Sequence, residues 1–527
     1  MLKFRYKNEV VGRIEFDDCR RDFDALRESF KVENTAARFA KSARYMQPFL
    51  YPISSLGQYS IGMTQTFMKR CDRMGIPYEA DQELLGAIRP SLETGDILPV
   101  PNGKFKYRDY QFELIGKLCE NGRGVIVSPT RSGKSLIIAG LIHNIFQNVM
   151  DFRIQNVLIL VPNVQLVYQF FDDLNEYGLG GIYHIQMFTA KTMAKAGAKV
   201  EVDKLNVYIT NAQYLLIHGD ELPETDMVFM DECHMCSKGA EISKLIRSIS
   251  IRHKFGCTGT LPKDTANQWM IEGVFGPVLD EIEIKKLQED KILANVKVYP
   301  IRFVHKRKVS FRDAQTDENG VQEDAYTMAK KAYQRESMYL GTHPETVGIE
   351  INMCRRLIQE HPDWNFLVLF DFTEQGRLLY KSLDFSRKFF IDGSIDVKVR
   401  REIVSEMDSS GGNITIAQSK TFSTGLTISR INCIMILTNQ SSCTKIIQSI
   451  GRGLRRQNKT TVLVFDVSHN YAYSSKHFME RTNLYEEFYG LRLNRDYTVK
   501  DIPVSDGGEA ARRMTACLAT YGADGWG

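Results

Sequence analysis

The sequence predicts an α/β protein: two tandem parallel-sheet domains behind a small α+β N-terminal domain. Three observations predict it. Short apolar runs alternate with helix-like stretches through most of the chain, as in "GVIVSP" followed by "KSLIIAGLIHNIF" and "NVLILVP" followed by "VQLVYQFFDDL". Strands that are apolar throughout, rather than at every second position, belong to sheets covered on both faces, and parallel neighbours need the intervening helices as crossovers. The polar stretch "KRKVSFRDAQTDENGVQED" interrupts this alternation once, and it resumes afterwards.

In order, residues 1–98 mix strand-like "LKFRY" and "VVGRIEF" with helix-like "FDALRESF" and "MTQTFMKRCDRMG", and end in "ILPVPNGKF". The two prolines and a glycine mark a boundary. Residues 99–285 form the first parallel-sheet domain. In its first helix Ile137, Ile138, Leu141, Ile142 and Ile145 recur at helical spacing, so one face is expected to pack on the sheet. Residues 286–475 form the second. It opens with "VKVYPIRFV", followed by the polar stretch, which is expected to be an exposed loop or hairpin. It continues through "WNFLVLF", "EQGRLLYKSL", "FFIDG", "VRREIVSEM", "NITIAQ", "INCIMILTN", the helix "TKIIQSIGRGLRR" and "TVLVFDV". Residues 476–527 are expected to be a helical and partly flexible tail.

Composition bounds the class. At 527 residues, 43% of them hydrophobic and 25% charged, the chain reads as about three globular domains. No apolar run reaches the ~18 residues of a membrane span. The first residues carry charges throughout, so no secretory signal is expected and the chain is expected in the cytosol. Of ten cysteines, only Cys233 and Cys236 form a C-x-x-C, without a second pair to complete a zinc site. Between Lys31 and Arg73, seven basic residues (Lys31, Arg38, Lys41, Arg44, Lys69, Arg70, Arg73) stand against Glu33 and Asp72, with Phe39, Tyr45, Phe49, Tyr51 and Tyr59 interleaved. This mixture suits a nucleic-acid backbone flanked by stackable bases; a solvated basic face over an aromatic core has the same signature.

The chemistry begins at "SPTRSGKS", residues 128–135. A strand, a loop ending Gly133-Lys134-Ser135 and a helix opening at Lys134 make a phosphate-binding loop, because backbone N–H groups and a helix N-terminus then face one anion. Ser128 occupies the loop's first position, where the common pattern has glycine. Farther on, "MVFMDECH" is an apolar strand ending in Asp231 and Glu232, where a phosphate-loop ATPase keeps a metal-associated aspartate and a water-orienting glutamate.

The order of "SPTRSGKS", "VPNVQLVYQ", "DECH", "TGT", "SKTFSTGLTISR" and "QSIGRGLRR" resembles that of the motifs of superfamily-two helicases, across both α/β domains. "IAQSKTFSTGLTISRINCIMI", "IIQSIGRGLRR", "FGCTGTLP" and "VFGPV" resemble the UvsW-type recombination helicases of T4-like bacteriophages. The N-terminal "LRESFKVENTAARFAKSARYM" and "GMTQTFMKRCDRMGIPYE" resemble their small DNA-binding domain.

The resemblance implies RecA-like domains and an ATP-hydrolysing DNA motor that uses Mg²⁺. Lys134 would reach the β- and γ-phosphates, Ser135 and Asp231 would hold the metal, and Glu232 would activate water. Arg452 or Arg455 would supply a transition-state cation, with Gln448 beside them. Ser128, Thr130, Ser132, Gly133 and Gly425 would complete the nucleotide site, and Tyr110 and Gln111 would meet adenine. His234, Thr258 and Thr260 would couple hydrolysis to movement. Pro162, Asn163, Thr210, Gln213, Gly393, Arg400, Ser423 and Thr424 would contact nucleic acid, joined by Lys69, Arg70 and Arg73. The implied partners are branched, duplex or single-stranded DNA, RNA–DNA hybrids included, with no membrane, in the cytoplasm of a phage-infected cell. An RNA helicase, a nucleotide-gated clamp and a restriction-type motor subunit remain alternatives.

Overall fold

The computed structural model describes the chain apart from residues 35–46, 93–94, 130, 149–153, 193–204, 220–221, 237–240, 306–324, 384, 386, 424–427, 429, 438–449, 451–460, 490–499 and 504–527. Two compact units divide the chain, the first reaching Ile282 and the second beginning at Glu283.

The first unit opens with β1 (Leu2–Tyr6) and β2 (Val11–Glu15), then α1 (Arg20–Glu28) and the short antiparallel pair β3 (Val32–Glu33) and β4 (Phe49–Leu50). β5 (Gln58–Ser60), α2 (Thr64–Met74), β6 (Tyr78–Ala80) and α3 (Gln82–Ile88) follow. A four-stranded sheet of order β5-β2-β1-β6 results, mixed because β1 pairs antiparallel with β2 and parallel with β6. Alternation along β1 buries Leu2 and Phe4, which join Phe23, Leu26 and Phe67 from α1 and α2 in a small core.

Next come α4 (Asp109–Asn121), β7 (Gly124–Val127), α5 (Lys134–Asn148), β8 (Asn156–Val161), α6 (Val164–Glu176), β9 (His184–Phe188) and β10 (Asn206–Asn211). The unit ends with α7 (Ala212–His218), β11 (Met227–Asp231), α8 (Glu241–Ser248), β12 (His253–Thr258), α9 (Thr265–Phe275) and β13 (Val278–Glu281). These strands make a parallel seven-stranded sheet of order β13-β7-β12-β11-β8-β10-β9. Its register decides the site: Val127 lies beside Thr258, and Asp231 beside Cys257. Three segments far apart in sequence therefore end at one level of adjacent strands.

The expectation of a one-faced helix over 134–146 is corrected. Every residue of α5 from Leu136 to Ile145 is buried, because the helix packs against α4 and α6. Gly140 makes this possible, since a Cβ there would meet the Tyr107 hydroxyl at 2.7 Å and Ile115 Cδ1 at 2.6 Å. Asn144 is buried on the same helix, and its Oδ1 accepts from the Leu98 N–H at 2.7 Å.

The N-terminal sheet is bound to this domain within the same unit. A Cβ at Gly62 would overlap the Glu272 carbonyl oxygen on α9. Thr66 donates to the Glu272 carboxylate, and Arg252 donates to Glu9 at 3.0 and 2.8 Å. Buried Arg123 donates to the carbonyls of Val274 at 3.0 Å and Ala87 at 3.4 Å.

The second unit contains α10 (Ile284–Glu289), β14 (Asn295–Val304), α11 (Ala325–Thr342), α12 (Pro344–Glu360), β15 (Phe366–Phe370), α13 (Thr373–Ser382) and β16 (Lys388–Ile391). It continues with α14 (Val397–Ser409), β17 (Ile414–Gln418), α15 (Ser419–Ser423), β18 (Cys433–Ile436), β19 (Thr461–His469), α16 (Ala472–Tyr489) and β20 (Lys500–Pro503). Its seven strands are parallel in the order β16-β17-β15-β18-β19-β14-β20, around a core that includes Phe366, Val368, Ile416, Met435 and Phe465. The tail beyond residue 475 contributes strand as well as helix, because β20 pairs with β14. The expected loop at 306–324 and the helix through "TKIIQSIGRGLRR" fall, apart from Ile450, outside the described residues.

Candidate functional site

The phosphate-loop residues lie where β7 gives way to α5. The Ser128 N–H continues the sheet by donating to the Thr258 carbonyl at 2.8 Å. Ser128 and Ser132 hydroxyls meet at 2.5 Å across the loop, and the Ser132 hydroxyl also donates to the Pro129 carbonyl at 2.8 Å. Serine at the first position thus closes the loop with a hydroxyl pair, which glycine would lack. Gly133 has φ +85°, a conformation glycine adopts without strain, and a Cβ there would overlap Gln111 Nε2.

Lys134 opens α5 and turns back over the strand ends. Its Nζ lies 3.4 Å from the Ser128 carbonyl, 3.9 Å from Asp231 Oδ1 and 3.7 Å from Glu232 Oε1. Both carboxylates are buried, at 6% and 8% exposure, so this ammonium compensates charge that water does not solvate. An NTP phosphate group brought to this loop would meet the same ammonium, beside the hard oxygen donors of Ser135 and Asp231. That donor chemistry fits Mg²⁺.

Glu232 is one of the described non-glycine residues with positive φ, at +54°. The turn presents its carboxylate to two neighbours: His234 Nδ1 lies 3.2 Å from Glu232 Oε2 and 3.0 Å from Thr258 Oγ1. Thr258 Oγ1 donates to the Thr260 carbonyl at 2.9 Å and lies 3.5 Å from Glu232 Oε2. The three residues expected to couple the site are therefore joined to Glu232 through hydroxyl and imidazole contacts. Cys233 and Cys236 are buried free thiols, the latter pushed up to about 12 by desolvation.

Tyr110 and Gln111 grip the loop from α4. Both are buried; the Tyr110 hydroxyl and Gln111 Nε2 donate to the same Ser132 carbonyl, the latter at 2.9 Å. Gln111 Oε1 accepts from the Arg108 N–H at 3.0 Å, so both ends of its amide are engaged within the chain.

Sequence reasoning missed two residues on α6 and its end. The Ser135 hydroxyl lies 3.1 Å from the Tyr177 hydroxyl and also hydrogen-bonds Asp173. Burial pushes the Asp173 carboxyl up to about 6, against the lowering effect of the Ser135 bond. "DDLNEYG" reads as the polar end of an amphipathic helix, and nothing in its spacing points at Ser135.

Among the residues expected to touch nucleic acid, Thr210 requires correction. It is wholly buried within β10, and its hydroxyl donates to the Phe188 carbonyl at 3.0 Å, so it bonds the adjacent strand instead of facing solvent. Pro162 and Asn163 are half-buried after β8, where Asn163 Oδ1 caps α6 through the Leu166 N–H at 3.1 Å. Gln213 and Gly393 are exposed. Arg400 holds its own loop, donating to the carbonyls of Asp392 at 3.0 Å and Gly393 at 3.1 Å. Lys69 and Arg73 are exposed on α2, while Arg70 lies over the Phe30 ring at 4.7 Å and donates to the Ser29 carbonyl at 3.3 Å. Ser423 ends α15. Thr130, Thr424, Gly425, Gln448, Arg452 and Arg455 lie outside the described residues.

A phosphate loop on a parallel sheet, with an acidic pair at a neighbouring strand end facing its lysine, defines a nucleoside-triphosphatase of RecA-like fold. Comparison with known proteins agrees. The family model "Type III restriction enzyme, res subunit" matches residues 104–263, and "Helicase conserved C-terminal domain" matches residues 348–457. The ATP-dependent DNA helicase uvsW of Enterobacteria phage T4 is 24% identical over 475 residues, 85% of this chain and 88% of its own length. The DNA 3'-5' translocase XPB2 of Sulfurisphaera tokodaii is 23% identical over 403 residues, 70% of this chain and 83% of its own. The solved structure of the ATP-dependent type ISP restriction-modification enzyme LlaBIII bound to DNA covers 85% of this chain and 35% of its own, with TM-score 0.54 and 12% identity, a likeness of fold. The chain belongs to helicase superfamily two and is an ATP-hydrolysing enzyme of that class.

Proposed function

We propose that the chain is an ATP-dependent DNA helicase or translocase that unwinds or branch-migrates recombination and replication intermediates: four-way junctions, forks and R-loops. The observation that carries the motor is Lys134 Nζ at 3.9 Å from Asp231 and 3.7 Å from Glu232, on a loop and a strand end built for a nucleotide. DNA as substrate is supported by the relatives named above, and the branched substrate by similarity to the phage T4 helicase.

In this reading Lys134 binds the β- and γ-phosphates, and Ser135 and Asp231 hold Mg²⁺, which when bound offsets charge on the transferring phosphoryl group. Glu232, held by His234 and Thr258, orients and deprotonates the attacking water. Arg452 or Arg455 supplies further positive charge, with Gln448 beside them. Tyr110 and Gln111 fix the loop beside the nucleotide. Residues 99–285 and 286–475 are the motor domains, and residues 1–98 choose the substrate. Pro162, Asn163, Gln213, Gly393, Arg400, Ser423 and Thr424 contact the nucleic-acid backbone without reading sequence. The protein works in the host cytoplasm; no described helix is long and apolar enough to cross a membrane.

The test is ATP hydrolysis without nucleic acid and with single-stranded DNA, duplex, a four-way junction or RNA, beside Lys134→Ala. Strong stimulation by branched DNA, absent in Lys134→Ala, is expected. Stimulation by RNA alone reassigns the protein to RNA remodelling, and ATP binding without turnover on any substrate makes it a clamp.

A further inference from the structure

A cavity of about 440 Å³ opens in the first unit where the N-terminal sheet meets α8 and α9. That volume falls in the range of ~300–1,000 Å³ typical of small-ligand sites. Tyr51 and Tyr59 line it from the N-terminal side, Trp269 and Met270 from α9, and Arg247 from α8. It shares no lining residue with the phosphate loop or the acidic pair. Its walls are fixed by the close approach of Gly62 to the Glu272 carbonyl and by the bonds from Thr66 to Glu272 and Arg252 to Glu9.

Its chemistry is specific. The lining is chiefly aromatic and apolar, with a single cation among the lining residues, Arg247. The half-buried Arg247 guanidinium makes no hydrogen bond or ion pair among the described residues, and the Trp269 indole N–H has no acceptor among them. A guanidinium and an indole donor are thus open to an occupant beside flat aromatic faces. The edge nearest β4 carries cations held over rings: Arg27 lies 3.7 Å from the Tyr51 centroid and Lys31 4.3 Å from that of Phe49. Glu28 is the counter-charge there, accepting from Tyr51 at 2.8 Å and Lys31 at 3.1 Å.

We propose that this cavity takes one unpaired nucleobase of the DNA substrate, its ring against Trp269 and Tyr51 and its phosphate on Arg247. The inference rests on the DNA reading above and adds a base-holding subsite outside the motor domains' strand ends. A duplex is too wide for it, so the occupant is a base already unpaired or turned out of its stack. Stacking tolerates any base, because every base has a π-face, whereas the backbone-contacting loops are indifferent to whether a base is present.

The experiment compares binding of the full chain to a forked DNA whose single-stranded arm carries thymidines with the same fork whose arm is abasic. The wild-type chain should bind the thymidine fork about tenfold more tightly. Trp269→Leu should remove most of that preference, and Arg247→Gln, which loses a phosphate contact that both forks offer, should weaken binding to both, with thermal melts showing that the variants fold. Equal affinity for the two forks, with ATP hydrolysis still stimulated by both, overturns the subsite and leaves the DNA reading standing. A preference that persists in folded Trp269→Leu, or unchanged affinity for both forks in folded Arg247→Gln, overturns it as well, and failure of both forks to bind or stimulate overturns both readings.

Discussion

Glu232 shows at the residue scale how the fold concentrates chemistry. Its φ of +54° costs on the order of 1–3 kcal/mol in a non-glycine residue, and it turns the carboxylate from its strand toward His234 and Thr258. Glu232→Gln keeps the size and the turn but cannot accept a proton. It should bind ATP near wild-type affinity and lower kcat about 10²- to 10⁴-fold, as single-turnover hydrolysis and nucleotide titration will show. Loss of both together would make Glu232 a structural residue of the loop.

A second buried carboxyl has no catalytic neighbour. Burial pushes Glu350 on α12 from its ordinary 4.5 up to about 8, with the Gln375 amide donating at 3.1 Å and opposing the rise. The folded chain keeps a proton that the unfolded chain releases above about 4.5. This contribution is therefore complete below pH 4.5, declines as pH rises through 8, and is flat beyond. In denaturant titrations Glu350→Gln should be close to wild-type stability near pH 5 and exceed it near pH 8.5, by on the order of 4 kcal/mol. A constant offset across that range would refute the assignment.

At the scale of elements, helices of both units are fastened to strands by polar contacts that hydropathy does not reveal. Lys254 on β12 donates to the carbonyls of Ile246 and Ile249 at the end of α8, at 2.9 and 2.6 Å. Lys388, opening β16, does the same for Tyr380 and Leu383 at the end of α13, at 2.8 and 2.7 Å. In each unit a strand lysine completes the C-terminus of the preceding helix, where the helix dipole favours a cation. α16 is fixed to β19 more strongly. Arg481 Nη2 and Nε reach the Asp466 carboxylate at 2.7 and 2.8 Å, and the Tyr485 hydroxyl donates to it at 2.6 Å, all three residues wholly enclosed. Arg481→Met should cost about 3–5 kcal/mol in a denaturant titration, because it leaves Asp466 charged and buried. Arg481→Met with Asp466→Leu should recover much of that loss. Equal losses in the single and double variants would show that packing, not charge, governs the contact.

For the whole molecule, a net charge of +4 distinguishes no partner, so its placement matters. Lys69 and Arg73 are exposed on α2, whereas Arg70 is partly spent on Phe30 and the Ser29 carbonyl. Replacing all three with glutamine should weaken four-way-junction binding and reduce the slope of log affinity against log salt by about 2. Unchanged affinity and slope would remove this face from the DNA contacts.

Much of the architecture was legible because its signals are local. Apolar strands, their crossover helices and "SPTRSGKS" followed by "DECH" read directly as a parallel-sheet phosphate-loop enzyme, since hydrophobic pattern and turn chemistry are fixed by neighbours in the chain. The helical spacing in α5 was legible, but its burial on all sides was not, because that depends on α4 and Gly140. The motif around Thr210 was visible while its burial was not, since only the pairing of β10 with β9 shows what its hydroxyl bonds.

The sequence by itself determined the enzyme class, the order of its motifs and the loop and strand end that carry Lys134, Asp231 and Glu232. Tertiary structure alone decided that Tyr110 and Gln111 grip Ser132, that Asp173 and Tyr177 hold Ser135, and that Arg247 faces a cavity beside Trp269. Local spacing fixes which element a residue belongs to. Contacts between distant elements depend on strand order and register, which place Val127, Asp231 and Thr258 on neighbouring strands although the chain separates them widely.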